Sequence, residues 1–244
     1  MRDFARALVE NGLLTSEVYE LWAARLTGQV GPDGKVHAHA PWDPWLNAEW
    51  RARPRDTREA IRDYYDSDAH IVLQDLFSGA WGDGGNALFD LGVEISARTL
   101  LDFGCGAGSF GRSCLSAGAV VSFADISPRI LAGVRLMCEA RGHGVKTFEH
   151  NDELPVDAFD IVVTTDVLEH VTDPPTVLAR LILSLRPGGL FYQTTFFGGH
   201  DLAPYHLPEN YRYSDEWLGQ CEAAGLVRVS PRPGTRHDGL WRKV

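Results

Sequence analysis

The chain is short of basic residues. Its 244 residues include 23 Lys and Arg against 33 Asp and Glu, which gives a formal net charge of −10. A protein that binds nucleic acid independently of sequence needs a basic surface to displace counterions. The one basic cluster, Arg51 to Arg58, is too short to supply such a surface. The composition therefore argues against a nucleic-acid partner.

Cysteines are few and widely separated. Cys105, Cys114, Cys138 and Cys221 form no CxxC pair. Neither a disulfide framework nor a cysteine zinc site is indicated, and a reducing cytoplasm fits this usage best.

Long apolar runs are also missing. No stretch approaches the length that a membrane-spanning helix needs. The opening residues, MRDFARALVENGLLTSEV, carry charges throughout and lack the apolar core of a signal peptide. We expect no membrane span and a cytoplasmic location.

The first part of the chain carries helical patterns. Residues 3–26 place apolar side chains at helical spacing, which predicts one or two amphipathic helices. The segment GQVGPDGKVHAHAPWDPWLNAEW, rich in Gly, Pro and Trp, predicts a loop. A second helix is predicted to begin at Asp56, which has capping-box spacing to Glu59, and to continue through AIRDYYDSDAHIVLQDLF.

From about Arg98 short apolar strands alternate with helical patterns, which predicts an α/β fold with a parallel sheet and crossover helices. The length suits one such domain with a helical extension. We predict an extension and cap at 1–95 and a ligand-binding domain at 96–244. Strands are predicted at 98–104, 119–125, 145–149, 159–165, 189–195, 226–230 and 239–243, and helices at 107–117, 129–142, 174–186 and 214–224.

The stretch LLDFGCGAGSFG joins the first of these strands to a turn. Three alternate glycines follow it, Gly104, Gly106 and Gly108, with Asp102 two residues before the first. Dinucleotide folds use GxGxxG, but Ser109 stands at the third glycine position of that pattern. A carboxylate at Asp102 would also repel a pyrophosphate. The turn therefore predicts a ligand with a positive group.

S-adenosylmethionine meets this description, since it carries an ammonium, a sulfonium and a ribose. Asp102 could hold the ammonium, directly or through water. Asp125 ends the next strand in VVSFADIS, where an acid can accept both ribose hydroxyls.

Two later segments, FDIVVTTDVLEHV and DPPTVLARLILSLRPGGLFYQTT, complete an ordered set of motifs. With them the chain resembles class I S-adenosylmethionine-dependent methyltransferases over roughly 98–230, particularly the ubiquinone-biosynthesis O-methyltransferase branch. The resemblance implies a Rossmann-like, seven-stranded, mostly parallel sheet with helices on both faces and its last strand reversed. It also implies S-adenosyl-L-methionine as methyl donor.

The resemblance also implies the donor-binding positions. Asp166 begins the segment that faces the methionine end, and one of His150, Asn151 or Asp152 approaches the adenine. Cys105 is read as a small loop filler, because no base is positioned to make it a nucleophile. The predicted donor contacts are Asp102, Gly104, Cys105, Gly106, Gly108, Asp125, Ile126, Asp152 and Asp166.

His170 is the candidate catalytic residue. It follows the fourth strand in DVLEHV, beside the switch point at which open α/β sheets bind ligands. Two interpretations fit: His170 takes a proton from an acceptor hydroxyl, or it packs against a loop and shapes the pocket.

No metal site is predicted. His37 and His39 alternate as strand residues would, but no partner ligand is identifiable. Metal-dependent catechol-type methyltransferases use adjacent Asp and Asn after the fifth strand, where this chain has Thr194 and Thr195.

The insertion FFGGHDLAPYHLPENYRYSDEW after the fifth strand predicts an acceptor-binding loop, because long loops at this sheet edge often bind substrate. Its candidate contacts are His200, Tyr205, His206 and Tyr211. We expect methyl transfer to a small-molecule acceptor, at oxygen rather than nitrogen. A protein or peptide methyltransferase and a non-methylating S-adenosylmethionine-binding enzyme are the alternatives.

Overall fold

The strands that the structure describes lie in one sheet. A computed structural model describes residues 2–28, 43–54, 57–81, 87–149, 152–198, 206–231 and 238–244. The strands are β1 (Thr99–Phe103), β2 (Val120–Asp125), β3 (Lys146–Glu149), β4 (Phe159–Thr165), β5 (Leu185–Thr194), β6 (Leu226–Pro231) and β7 (Gly239–Lys243).

The seven strands are ordered β3-β2-β1-β4-β5-β7-β6. Pairing is parallel from β3 to β5, whereas β7 runs antiparallel to both β5 and β6. The predicted fold class, including the reversed last strand, is confirmed. The strand order reverses between β1 and β4, so the carboxyl ends of β1, β2 and β4 border a ligand crevice.

Helices before and after β1 cover the sheet. Those before β1, which we call the cap, are α1 (Asp3–Glu10), α2 (Ser16–Leu26), α3 (Asp43–Ala52), α4 (Arg58–Tyr65), α5 (Asp68–Trp81) and α6 (Ala87–Asp90). Those that follow are α7 (Ser109–Ser116), α8 (Pro128–Glu139), α9 (Pro174–Ser184) and α10 (Tyr213–Ala223). Within the described residues, no helix is both long and apolar enough to cross a membrane.

Alternation along the strands divides the core between the two faces of the sheet. Leu100 and Phe123 belong to a cluster that includes cap residues, while their neighbours Leu101 and Ala124 pack with α9 and α10. Successive strand side chains point to opposite faces, so this division follows from the period of two. The cap therefore shares a hydrophobic core with α7, α8 and one face of the sheet.

Three predictions about elements are wrong. The last residues of the predicted loop form the helix α3 instead. Trp50 of this helix is buried and packs edge-on against Tyr64, with ring centroids 4.7 Å apart, and this packing favours the helix. The next helix begins at Arg58, since the Thr57 hydroxyl accepts the Ala60 N–H at 3.1 Å. Asp56 lies outside the described residues.

That helix also ends at Tyr65 rather than running on, and α5 starts anew at Asp68. The third error concerns β5, which begins at Leu185 instead of 189. Leu185 is fully buried opposite Phe159, and the register shift beyond this pair accommodates the intervening Pro-Gly-Gly. Burial of one leucine thus places the strand start before the turn residues.

The cap is held to the sheet domain by close helix packing and by one arginine. Gly133 of α8 lets Phe4 and Leu8 of α1 approach, because a Cβ there would lie 2.6 Å from the Phe4 ring. Arg129, near the start of α8, donates to Asp68 Oδ1 at 2.7 Å and to the Leu13 carbonyl at 3.2 Å. It also donates to the Asp66 carbonyl. One side chain therefore connects three parts of the cap to the domain.

We predict that Arg129→Ala lowers the free energy of unfolding by about 1–2 kcal/mol, because charged hydrogen bonds contribute roughly that much when partly exposed. Arg135→Ala, on the same helix, removes only a bond to Thr147 Oγ1 at 3.2 Å and should cost less than about 0.5 kcal/mol. Urea denaturation of both variants measures the difference. Equal costs would contradict the role given to Arg129.

Candidate active site

The turn after β1 is built from glycines in left-handed backbone. Gly104, Gly106 and Gly108 have φ of +69°, +50° and +74°. A Cβ on Gly104 would overlap the Val167 side chain, and one on Gly108 would lie 3.1 Å from Val134. Only glycine satisfies both the backbone angle and the lack of space. The turn therefore presents bare backbone, followed directly by the N-terminus of α7.

Asp125, at the end of β2, lies beside this turn. Its Oδ2 accepts the Gly106 N–H and its Oδ1 accepts the Ser127 N–H, each at 3.0 Å. Each carboxylate oxygen keeps a further lone pair for a ligand hydroxyl. Burial raises the pKa of Asp125 to about 6, although hydrogen bonds from the backbone amides of Ser127, Gly106 and Ile126 favour the charged form. Asp125, which the sequence predicts to bind the ribose, is thus a half-buried carboxylate that is hydrogen-bonded to the glycine turn.

Asp102 lies deeper than its predicted role suggests. It is 2% exposed, and its Oδ2 accepts the Gly111 N–H in the first turn of α7 at 2.9 Å. Burial raises its pKa to about 7, and the charge of Asp125 adds to the effect. So small an exposed area leaves little of the side chain for direct ligand contact, which favours an effect on the ligand through charge or water.

Cys105 has no feature of a nucleophile. Burial raises the pKa of its thiol well above the usual range, and the nearby Asp125 and Asp102 carboxylates raise it further. Reactive cysteines need a stabilised thiolate, and this environment disfavours one. The geometry supports the loop-filler interpretation.

The remaining predicted donor contacts lie at the same sheet edge. Ile126 follows Asp125 and is half-buried, whereas Asp166 is exposed directly after β4. Asp166 has a φ of +52°, which is strained for a non-glycine residue, and its Oδ1 accepts from Thr194 Oγ1 at 3.0 Å. Asp152 is exposed and accepts the Glu149 N–H at 2.7 Å. His150 and Asn151 lie outside the described residues, so the adenine contact stays a prediction.

The cap reaches the glycine turn through α5. A Cβ on Gly106 would overlap the Gln74 carboxamide oxygen, so this side chain lies directly against the turn. Gln74 Nε2 is 3.2 Å from His70 Nε2, one turn earlier on the same helix. Burial lowers the pKa of His70 to about 3, with a further contribution from the nearby His170. His70 is therefore a neutral imidazole. Sequence reasoning missed both residues.

Rings from the cap meet rings from the sheet edge. Tyr65 lies with its centroid 4.7 Å from His70 and 6.3 Å from His170. His170 in turn lies 4.8 Å from His206, which follows β5 by way of the long insertion. These contacts form what we call the bridging cluster: Trp50, Tyr64, Tyr65, His70, His170 and His206.

Glu169 is a buried carboxylate beside this cluster. It is 1% exposed, its Oε2 accepts from Thr195 Oγ1 at 2.9 Å, and its Oε1 accepts the Phe196 N–H at 3.2 Å. Burial raises its pKa to about 7, and the charge of Asp166 adds to the effect. Glu169, His170 and His206 each offer a ligand atom, and these atoms lie within 4.8 Å of one another. Sequence reasoning named the two histidines but not the glutamate or the triad.

Other predicted site residues are less central. Tyr211 follows a short helix at 208–210, is 38% exposed, and is not among the rings of the bridging cluster. His200, Tyr205, His37 and His39 lie outside the described residues. The acceptor roles of His200 and Tyr205 stay predictions.

The glycine turn makes a stability prediction. Gly104→Ala should cost the strain of left-handed backbone, roughly 1–2 kcal/mol, plus overlap with the stiff Val167 side chain, about 1–3 kcal/mol. Gly142 has a φ of +80° and open space where a Cβ would lie. Gly142→Ala should therefore lower the free energy of unfolding by the backbone strain only. Urea denaturation should show Gly104→Ala to be less stable than Gly142→Ala; similar values would mean that the turn can move away from Val167.

Comparison with known proteins agrees with this geometry. Residues 101–191 match a family model described as a methyltransferase domain. A ubiquinone biosynthesis O-methyltransferase of Aromatoleum aromaticum is 33% identical over 110 residues, 43% of this chain and 47% of that protein. The same-named protein of a Bradyrhizobium species is 38% identical over 106 residues, 41% of each chain. This chain thus spans less than half the length of these curated relatives.

Two solved structures share the fold. Phosphoethanolamine N-methyltransferase 2 of Haemonchus contortus, in complex with S-adenosyl-L-methionine, has a TM-score of 0.57 and 20% identity, covering 71% of this chain and 46% of that one. The [4+2]-cyclase SpnF has a TM-score of 0.55 and 21% identity, covering 72% and 76%. The family match contains the turn, Asp125, Asp166 and the strands that carry them. Residues 101–191 of this chain are therefore similar in sequence to a methyltransferase domain.

Proposed function

We propose that this protein transfers a methyl group from S-adenosyl-L-methionine to an oxygen of a small-molecule acceptor. The observation that carries the proposal is the bare glycine turn with the Asp125 carboxylate bound to its Gly106 amide, inside the segment that matches the methyltransferase family. One of the two fold neighbours described above is a cyclase, so the fold alone does not decide the reaction.

The donor half fits the charge and shape of this ligand. Left-handed glycines allow an adenosyl group to approach the backbone, and the free lone pairs of Asp125 suit two vicinal hydroxyls. Asp102 and Asp166 add negative charge at the ends of β1 and β4, where the ligand carries its ammonium and sulfonium. The solved N-methyltransferase neighbour binds the same donor.

Methyl transfer requires mainly that the protein align the donor with the acceptor. The donor supplies a sulfonium-bound methyl group. An oxygen–carbon bond to the acceptor forms as the carbon–sulfur bond breaks, the electron pair of the broken bond stays on sulfur, and the proton of the acceptor hydroxyl passes to solvent water. Holding two reactants in line can supply about 7–11 kcal/mol of the barrier reduction. The residues of this chain therefore have to fix both reactants and exclude water.

The acceptor half favours a small molecule. The bridging cluster lies at the end of β4 and joins the cap to the sheet edge, so cap residues cover the position where an acceptor would sit beside the donor. Trp50 and Tyr64 are almost fully buried there, which fits an apolar or aromatic acceptor and leaves little access for a folded macromolecule. The curated relatives are named for O-methylation in ubiquinone biosynthesis, a small-molecule pathway.

Asp125→Asn should weaken S-adenosylhomocysteine binding by about 10–100-fold, because a charged hydrogen bond contributes roughly 1.5–3 kcal/mol. Asparagine keeps one acceptor oxygen for the turn, so the fold should survive. Isothermal titration calorimetry measures the change, with Glu139→Gln, an exposed acid at the end of α8, as control. Unchanged affinity in Asp125→Asn would refute the ribose assignment.

A labelled-donor experiment tests the whole proposal. The protein is incubated with methyl-labelled S-adenosylmethionine and size-fractionated cell extract, and label should appear in the small-molecule fraction together with S-adenosylhomocysteine. Label in protein would instead favour a protein or peptide methyltransferase. Donor binding without S-adenosylhomocysteine would favour a non-methylating enzyme, and no donor binding would refute both.

A further inference from the structure

We propose that Asp66, at the junction between α4 and α5, is a positioning residue for the methyl donor. Through Ser127 it holds the Asp125 carboxylate in place and makes that carboxylate a stronger acceptor for the ribose hydroxyls. The role toward the donor rests on the proposed function, whereas the contacts within the protein do not. Sequence reasoning did not single out Asp66, because it belongs to the cap and lies far from Asp125 in the chain.

A short chain of hydrogen bonds joins Asp66 to Asp125. Asp66 Oδ1 accepts the Ser127 hydroxyl, and the Ser127 N–H donates to Asp125 Oδ1 at 3.0 Å. Ser127 is fully buried, so water does not compete for these bonds. Asp66 Oδ1 also accepts the Arg129 N–H at 3.2 Å. One carboxylate of the cap therefore fixes the backbone that follows Asp125.

The junction that carries Asp66 is held in place on both sides. Asp66 ends α4, and its N–H donates to the Arg62 carbonyl at 2.8 Å. The next residue, Ser67, is buried, and its N–H donates to the Tyr64 carbonyl at 3.0 Å. Arg129 Nε lies 3.5 Å from Asp66 Oδ2. The Asp66 carboxylate is therefore oriented by the protein alone, before a donor binds.

Asp66 also acts on Asp125 through its charge. Burial is the main cause of the raised pKa of Asp125, about 6, and the negative charge of Asp66 raises it further. A carboxylate with a higher proton affinity accepts stronger hydrogen bonds from hydroxyl groups. The charge of Asp66 therefore strengthens the bonds that Asp125 would make to the ribose.

Other titratable and charged groups face Asp125 from β1, the glycine turn and α8. The charge of Asp125 raises the pKa of Asp102 on β1 and of the Cys105 thiol in the turn. Arg129 is the cation on α8, and it is paired with Asp66. The pKa of Asp102 is set by burial and, among the acids, by Asp125 alone. A substitution at Asp66 therefore acts directly on Asp125 and reaches Asp102 only through it.

The orienting and the electrostatic effects of Asp66 can be separated by pH. The charged form of Asp125 favours donor binding, so affinity should fall as the pH drops through its pKa of about 6. At pH 5 a group with that pKa is protonated about ten times as often as it is charged, which predicts about tenfold weaker binding than at pH 8. Removal of the Asp66 charge lowers the pKa of Asp125, so the loss of affinity should begin at a lower pH.

The test is isothermal titration calorimetry of the full chain with S-adenosylhomocysteine at pH 5, 6, 7 and 8. Asp66→Asn keeps a side-chain oxygen for Ser127 and removes the charge. At pH 8 it should bind about 2–10-fold more weakly than the wild type, the range expected for one weakened hydrogen bond. The ratio of its dissociation constants at pH 5 and pH 8 should be at least about twofold smaller than the wild-type ratio. A purely structural role would weaken binding by the same factor at every pH.

Asp68→Asn is the matched control. It removes an equal charge close to the same junction, but Asp68 is bonded to Arg129, at 2.7 Å, rather than to Ser127. This variant should keep the wild-type ratio of dissociation constants. Circular dichroism at each pH checks folding, and if Asp66→Asn does not fold, Asp66→Ser replaces it, because serine also keeps an oxygen and lacks the charge.

The outcomes distinguish the two proposals. An unchanged ratio in the Asp66 variant, or an equal change in Asp68→Asn, would overturn the role of Asp66 while leaving the proposed function intact. No binding of S-adenosylhomocysteine by the wild type at pH 8 would refute the proposed function and, with it, the role of Asp66 toward the donor.

Discussion

The backbone after β1 must turn through left-handed conformations without side chains, and the rest of the site depends on this constraint. A Cβ on Gly104 would overlap Val167, and one on Gly108 would crowd Val134 at 3.1 Å. The amides of Gly104 and Cys105 both bind the Ala124 carbonyl, at 2.8 and 3.1 Å, so the turn also fixes the end of β2. Asp125 follows at once, and its position is therefore a consequence of the turn.

Local signals made the sheet, the glycine turn and the position of Asp125 predictable. The predicted β4 and β7 have the observed bounds, and the glycines and Asp125 lie on consecutive strands at one edge. The cap was less predictable, because α3 depends on the burial of Trp50 against Tyr64, a contact between distant segments. Tertiary packing of this kind outweighs the Gly and Pro content from which a loop was inferred.

The cluster of rings around His170 could not be predicted from the sequence, because it too depends on contacts between distant segments. His170 was predicted from its place after β4, but its neighbours His70, Tyr65 and His206 come from two other parts of the chain. Glu169 adjoins His170 in sequence and was overlooked, because its importance depends on burial and on the return of His206. A search for an adjacent Glu-His pair together with a histidine in the insertion would have found the triad.

Several acidic side chains lie close together at the carboxyl ends of the central strands. Asp102, Asp125 and Asp166 lie on or directly after β1, β2 and β4 at one edge of the sheet, and Glu169, three residues after Asp166, is 1% exposed. His70 stays neutral because of its burial, so the cap brings no opposing positive charge through that ring. Cations are therefore favoured at this edge. The ammonium and sulfonium of the proposed donor would be stabilised by this excess of negative charge. Gln74, which lies against the glycine turn and contacts His70, connects the cap to that turn.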